Sequence, residues 1–248
     1  KRRMFEGRRI AVVVPARNES AWIGTTLDTM PALVDSIVVV DDASTDDTSR
    51  EVDARSGDPI DRIRLVRRSV RGGVGAAIVD GYRHALALDA DVVVVMAGDG
   101  QMCPDDLPAL LEPITRGQAD YVKGDRFRHP DVRHVMPRAR RRVGRVLSFL
   151  TAYATGLEGL SDSQCGYTAI ASTALRRLPL DRMWRGYGYP NDLLGHLARA
   201  GLRVEQVAVR PVYRGEKSEL KPRHVAIIAS LIARAAVLRA ASRVAQGW

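Results

Sequence analysis

The chain has 248 residues, 46% hydrophobic and 27% charged, which allows a sizeable buried core and excludes a disordered or collagen-like protein. Its two cysteines, Cys103 and Cys165, are too few for a disulfide framework or a paired metal cluster and imply a reducing, cytoplasmic setting. Lys plus Arg number 38 against 29 acids, and the net charge of +9 suits phosphate-rich partners: nucleotides, a nucleic acid or an anionic membrane.

In chain order, the apolar runs 10–14, 37–40, 63–66 and 92–96 are predicted strands, the third weaker than the rest. Helical composition fills the intervals 20–30, 45–54 and 75–88. Continuous β-branched runs separated by helices predict an α/β fold with a mostly parallel sheet covered on both faces. In such sheets ligands bind beyond the carboxyl ends of the strands. Those ends carry Pro15-Ala16-Arg17-Asn18-Glu19, then Asp41-Asp42-Ala43-Ser44, then Ala97-Gly98-Asp99-Gly100-Gln101. Some of these residues also suit a simpler structural role. Ser44 and Thr45 would cap the helix that follows, and Asp46 and Asp47 would complement its dipole. The loop Gly72-Gly73-Val74-Gly75 follows the third strand, where backbone can approach a nucleotide closely and Arg71 can meet a phosphate or base.

The second half has a different charge pattern. Residues 132–157 hold six arginines and no acid, and residues 220–248 again lack acids. The aspartates at the strand ends, with an aromatic content of 5%, argue against a nucleic-acid partner. The basic start, residues 1–7, lacks the apolar run of a secretory signal, and the apolar stretch 225–233 meets Arg234 too early for a membrane span. Residues 222–246 read as one alanine-rich helix, with Arg234, Arg239 and Arg243, that rests on an anionic membrane or packs on the domain.

Taken together, the motifs Val14-Pro15-Ala16-Arg17-Asn18-Glu19, Val39-Val40-Asp41-Asp42-Ala43-Ser44, Gly73-Val74-Gly75-Ala76-Ala77 and Gly98-Asp99-Gly100-Gln101 resemble glycosyltransferase family 2. Within that family they look most like the dolichyl- and polyprenyl-phosphate sugar synthases. Lys123-Gly124-Asp125-Arg126-Phe127, Ser161-Asp162-Ser163-Gln164-Cys165-Gly166-Tyr167 and Tyr189-Pro190-Asn191-Asp192 extend the likeness. The resemblance implies a GT-A fold over residues 9–223, with a nucleotide-binding half at 9–118, an acceptor-side half at 119–223 and a basic amphipathic helix at 224–248. It also implies inverting transfer of a sugar from a nucleoside-diphosphate donor, UDP- or GDP-linked, in the cytoplasm or at the inner face of its membrane.

By the same resemblance, the nucleotide contacts fall on Pro15, Ala16, Arg17, Glu19, Asp41, Asp42, Arg71, Gly73 and Asp99. The family's Asp-x-Asp metal motif has Ala97 at its first position here, which leaves Asp99 and Gln101 to hold Mg²⁺ or Mn²⁺ with fewer charged ligands. Asp192 and Asp162 are the catalytic candidates, Asp192 as general base if the acceptor is a hydroxyl. Asp192 also suits a structural duty as a helix N-terminal acid, while Asp162 sits with Gln164 in a second polar loop that faces the acceptor or the transferred sugar. Arg126, Arg141, Arg142, Gln164, Lys217 and Lys221 are the acceptor and phosphate candidates, since arginine recognises phosphate in bidentate fashion. A basic helix face open to solvent is the simpler reading of the same arginines. The acceptor is polyprenyl phosphate or, alternatively, a soluble hydroxyl compound such as a saccharide or secondary metabolite; a non-catalytic nucleotide-sugar-binding protein is the third reading.

Overall fold

The computed structural model describes residues 4–57, 62–213 and 222–245. Seven strands form one sheet: β1 (Ile10–Ala16), β2 (Ser36–Asp41), β3 (Ile63–Arg67), β4 (Val92–Val95), β5 (Tyr121–Asp125), β6 (Thr168–Ala171) and β7 (Val204–Ala208). Their order is β3-β2-β1-β4-β6-β5-β7. The first four strands are parallel, as their valine and isoleucine runs predict. β6 runs antiparallel to both β4 and β5, while β5 and β7 are parallel to each other. β3, the weakest of the predicted runs, is an edge strand.

The helices are α1 (Ile23–Asp28), α2 (Thr48–Asp53), α3 (Val74–Ala87), α4 (Leu107–Thr115), α5 (Val132–Val135), α6 (Arg138–Thr155), α7 (Ser172–Leu175), α8 (Tyr189–Arg199) and α9 (Pro222–Ala245). The period of two along each strand sorts the core into two layers. Ile10, Val12, Val14, Ile37, Val39, Val92 and Val94 pack with Ile23, Leu27, Val52, Leu107, Leu110 and Leu111 on one face. Ala11, Val13, Val38, Val40, Val93 and Val95 pack with α3, Leu175, Leu193, Leu194 and Leu197 on the other. Each such aliphatic side chain contributes about 1.5–3 kcal/mol on burial. A side chain on Gly81 would collide with Val13, so this glycine lets α3 lie close against β1.

α1 and α2 are shorter than predicted, each beginning three residues late. The residues ahead of them are committed to each other: Ser44 Oγ accepts the Asn18 N–H at 3.0 Å, Asn18 Oδ1 accepts the Thr45 N–H at 2.9 Å, and Thr48 Oγ1 accepts the Glu19 N–H at 2.8 Å. Neither Ser44 nor Thr45 caps α2; the residue before that helix is Asp47, which makes no side-chain cap bond.

The last helix also departs from expectation. Despite Arg234, the stretch Arg223–Ser242 contains an 18-residue window with a mean hydropathy of 1.8 and is long and apolar enough by length and composition to cross a membrane. It packs against α6 and α8, burying Ile228, Leu231 and Ala235. Val225, Val237 and Leu238 stay exposed, so apolar residues lie on its outer side as well as its packed side.

Candidate active site

Because β1, β2 and β4 are parallel, their carboxyl ends open on one edge of the sheet. Ala16 pairs in register with Asp41 there, with Pro15 beside Val40. Asp41 is buried, and its carboxylate accepts the Ser44 N–H at 2.9 Å and the Ser49 hydroxyl. Asp42 is buried too, and its two oxygens accept the Gly72 and Gly73 N–H groups, each at 2.7 Å, with Arg68 Nε 3.0 Å from one of them. These two aspartates therefore build the edge from within: Asp41 closes the turn after β2, and Asp42 ties the glycine loop to it. Gly73 has φ +95° and would place a Cβ 2.7 Å from the Arg185 carbonyl, so a glycine is required at this point. Arg71 is exposed beside the loop. Arg17 is partly buried, and its Nη1 is buried with no hydrogen-bond partner among the described residues.

Asp99 stands beyond β4, where one carboxylate oxygen accepts the Gln101 N–H at 2.9 Å in a turn completed by Gly100 at φ +69°. No group of three or more His, Cys, Asp or Glu residues able to hold a metal occurs among the described residues. The donor set is one carboxylate with the Gln101 amide close by. These are hard oxygen donors, and they fit a small divalent cation that takes its remaining ligands from water and a diphosphate.

On the other half of the sheet, the predicted acceptor-side residues pair with one another. Arg126 holds Asp162 in a fork, Nε to Oδ2 at 2.8 Å and Nη2 to Oδ1 at 2.9 Å. Asp162 is fully buried and also accepts the backbone N–H groups of Arg126, Gln164 and Cys165. Burial would raise the Asp162 pKa, but the Arg126 guanidinium outweighs it and holds the carboxyl below its usual range. So engaged, both Asp162 oxygens hold the Arg126 guanidinium in place.

The remaining Arg126 nitrogen, Nη1, donates to the Tyr213 hydroxyl at 3.4 Å, and the Arg140 guanidinium lies 4.7 Å above the Tyr213 ring. Tyr213 thus joins the arginine of the β5 end to the first turn of α6. In that turn Arg141 has a buried Nη1 without a hydrogen-bond partner among the described residues, while Arg142 is exposed. Gln164 donates to Asn191 Oδ1 at 3.0 Å and Asn191 donates to Thr151 at 2.8 Å, linking the 161–165 loop to α8 and α6. Lys217 and Lys221 lie outside the described residues.

Asp192, in the first turn of α8, is buried. Its Oδ2 accepts the Trp184 N–H at 2.6 Å, and its Oδ1 pairs with Arg234 of α9, with His196 Nε2 at 3.6 Å. Burial lowers the His196 pKa, opposed by Asp192 and reinforced by Arg199 and Arg234, so its ring is held toward the neutral form. Both Asp192 oxygens are thus engaged by partners from three segments: Trp184, His196 of its own helix and Arg234 of α9.

Several contributors carry little or no signal in the sequence. Lys123 is fully buried, donates to the Cys165 carbonyl, and has its pKa lowered by burial. Asp125, also fully buried, accepts the Phe127 N–H at 2.8 Å and the Ser161 hydroxyl. Gln206 Oε1 receives the Ser161 N–H at 2.9 Å. Trp184, Arg140, Tyr213 and Arg234 complete the set. Lys123 and Asp125 fall within a family-like motif, whereas Gln206 and Trp184 sit in segments that no motif marks.

This fold and this edge define a sugar-nucleotide-dependent transferase of the GT-A type. The Glycosyl transferase family 2 model matches residues 11–178, and the chain belongs to that family. It is 34% identical over 211 residues to the undecaprenyl-phosphate mannosyltransferase of Micrococcus luteus, covering 83% of this chain and 84% of the relative. The polyprenol monophosphomannose synthase of Mycolicibacterium smegmatis is 27% identical, over 82% of this chain and 77% of its own. Among solved structures, glucosyl-3-phosphoglycerate synthase from Mycobacterium tuberculosis in complex with Mn²⁺, UDP and phosphoglyceric acid superposes with a TM-score of 0.70 at 26% identity, over 92% of this chain and 79% of that one. The likeness to the polyprenyl-phosphate sugar synthase branch thus holds in named relatives, and the chain is a glycosyltransferase.

Proposed function

We propose that this glycosyltransferase moves a hexose from a UDP- or GDP-sugar to polyprenyl phosphate with inversion at the anomeric carbon. The observation that carries the reading is the acceptor side: Arg126 and Arg140 converge on Tyr213, and Arg141, next to Arg140 in the first turn of α6, has a buried nitrogen left without a partner among the described residues. Such donors suit a phosphate monoester. A phosphate is already anionic near neutral pH, so it needs positioning and no base, which agrees with the commitment of Asp192 to Arg234 and Trp184. The polyprenyl-phosphate substrates in the names of two relatives support the same acceptor.

On the donor side, the Pro15–Glu19 segment, Asp41, Asp42 and the Arg71–Gly73 turn would frame the nucleotide, and the buried Arg17 nitrogen would meet its diphosphate. Asp99 and Gln101 would hold Mg²⁺ or Mn²⁺; when bound, the ion would neutralise charge on the leaving diphosphate. Solved relatives bound to Mn²⁺ or Mg²⁺ with UDP support this cofactor. Contact with the membrane follows from an acceptor that resides in the bilayer.

A soluble hydroxyl acceptor is the second reading, favoured by the structural likeness to a synthase solved with phosphoglyceric acid. Transfer of label from UDP- and GDP-sugars to polyprenyl phosphate and to a panel of hydroxyl compounds separates the two. The expected result is transfer to the lipid phosphate, abolished in Arg141→Ala. Transfer to hydroxyl compounds alone would overturn the proposal.

A further inference from the structure

Helix α6 has two unlike faces. Inward it buries Gly144, Leu147, Ser148, Thr151 and Ala154, with Ser148 bonded to Ser163 and Thr151 to Asn191. Outward it presents Val143, Val146, Phe149, Leu150 and Tyr153 to solvent, with Phe149 70% and Tyr153 76% exposed. Helical spacing places these side chains together on one stripe. A stripe of large apolar groups on the solvent side reverses the usual pattern of a surface helix and marks an interaction surface.

The flanks of the stripe are open. A groove of about 580 Å³ runs between α6 and α9, lined by Phe149, Tyr153, Ala236 and Arg239. A second, also about 580 Å³, lies between α6 and the 159–161 loop, lined by Phe127, Arg145, Phe149 and Leu160. Phe149 borders both. α9 continues the surface with exposed Val237 and Leu238.

Charge selects the partner. Arg138, Arg142 and Arg145 are exposed on this helix, and residues 132–157 contain no acid; Glu158, just past the helix, is the nearest in sequence. Apolar and aromatic side chains beside arginines complement an anionic lipid surface, where each basic residue is worth about fivefold in partitioning. The inward face of the same helix supports the loop that carries Asp162 and hence Arg126. A helix with its side chains is about 10–12 Å across, so a membrane laid on the outer face would lie about one helix diameter from the acceptor arginines.

We infer that the outer face of α6, flanked by α9, is the surface on which the protein docks to an anionic bilayer. This rests on the lipid-phosphate reading of the acceptor, and it places the membrane contact on α6, whereas the sequence pattern offered the C-terminal helix as either a membrane contact or a packed helix.

The test is co-sedimentation of the full chain with phosphatidylcholine vesicles, with and without phosphatidylglycerol, in parallel with sugar transfer to a short water-soluble prenyl phosphate and to long-chain polyprenyl phosphate in the same vesicles. The variants are Phe149→Ser/Tyr153→Ser and, as an independent probe, Arg138→Glu/Arg145→Glu. Vesicle binding is expected to require the anionic lipid and to fall at least tenfold in either variant. Transfer to the soluble acceptor should hold while transfer to the vesicle-borne acceptor falls. Unchanged vesicle binding in both variants would overturn the inference. So would sedimentation velocity showing a dimer that Phe149→Ser/Tyr153→Ser dissociates while vesicle binding persists. If binding falls as expected but wild type transfers to neither prenyl phosphate, the docking surface stands and the acceptor reading fails.

Discussion

Asp192 and Arg234 form an ion pair that fastens α9 to the first turn of α8, although 42 residues separate them. The other Asp192 oxygen takes the Trp184 N–H, and the neighbouring Arg185 carbonyl accepts the Ala76 N–H at 3.0 Å at the start of α3. A connected path therefore runs from the C-terminal helix to the glycine loop held by Asp42.

Loss of this pair should be felt in stability before chemistry. The Arg234 side chain is 44% exposed, so solvent moderates the effect, and Arg234→Met should cost about 1–2 kcal/mol. In a chain of this size that lowers Tm by a few degrees, measurable by thermal denaturation. Asp192→Asn should leave transfer to a phosphate acceptor within about tenfold of wild type, whereas loss of a true general base costs about 10²–10⁴. A loss in the latter range would return Asp192 to the chemistry.

Asp42 should matter for both folding and nucleotide affinity. Asp42→Ala strands the half-buried Gly72 and Gly73 N–H groups, and an unsatisfied donor costs about 1–3 kcal/mol where water does not reach it, less where it does. UDP or GDP affinity by calorimetry should fall about tenfold or more, equivalent to about 1.4 kcal/mol. Asp42→Asn retains one acceptor oxygen and should fall between wild type and Ala.

How much of this was legible in the sequence differs between the two halves. β1 to β4 were readable because their runs are apolar and, but for edge strand β3, buried on both faces. β5 was hidden because its buried positions include Lys123, Gly124 and Asp125, whose polar groups are satisfied by distant partners such as Cys165 and Ser161. β6 is only four residues long, and β7, at the sheet edge, is interrupted by the adjacent polar pair Glu205 and Gln206. The strand-end aspartates could be found from position alone. That Arg126 serves Asp162, and Arg234 serves Asp192, could not, since no local periodicity couples residues so far apart.

Divalent-ion dependence should be present but shallow, because Ala97 stands where a second carboxylate would. EDTA should reduce transfer, and Mn²⁺ should restore it. Ala97→Asp should lower the Mn²⁺ concentration required, read also as Mn²⁺-dependent UDP binding by calorimetry. Transfer and nucleotide binding both indifferent to EDTA would remove Asp99 and Gln101 from a metal role.

The loop joining the first two strand ends should respond to acid through Asp46. Slight burial raises its pKa, but hydrogen bonds from Thr48 and Ser20 outweigh that and bring it from 3.8 to about 2. A carboxyl depressed in the folded state stabilises above its unfolded pKa, and that contribution is lost as pH falls through the folded value. The Tm difference between wild type and Asp46→Asn should therefore be full at neutral pH and shrink as pH falls from 3.8 toward about 2. A difference independent of pH over that window would show that the charge on Asp46 is not what holds Thr48 and Ser20.

Arg126 carries two duties that one substitution confounds. Arg126→Ala would leave the buried Asp162 carboxyl without its counter-ion, and breaking a buried pair in this way costs about 3–5 kcal/mol. A loss of transfer in that variant would therefore report misfolding as much as a missing phosphate ligand. The double variant Arg126→Ala/Asp162→Ala removes the stranded charge, and a double-mutant cycle on Tm and on kcat/KM separates the terms. Stability should recover for most of the loss, because no unpaired charge remains. Transfer to polyprenyl phosphate should stay low with donor binding intact, because the guanidinium beside Tyr213 is still missing. Recovery of transfer in step with Tm would show that Arg126 serves the fold alone and would leave the acceptor phosphate to Arg140 and Arg141.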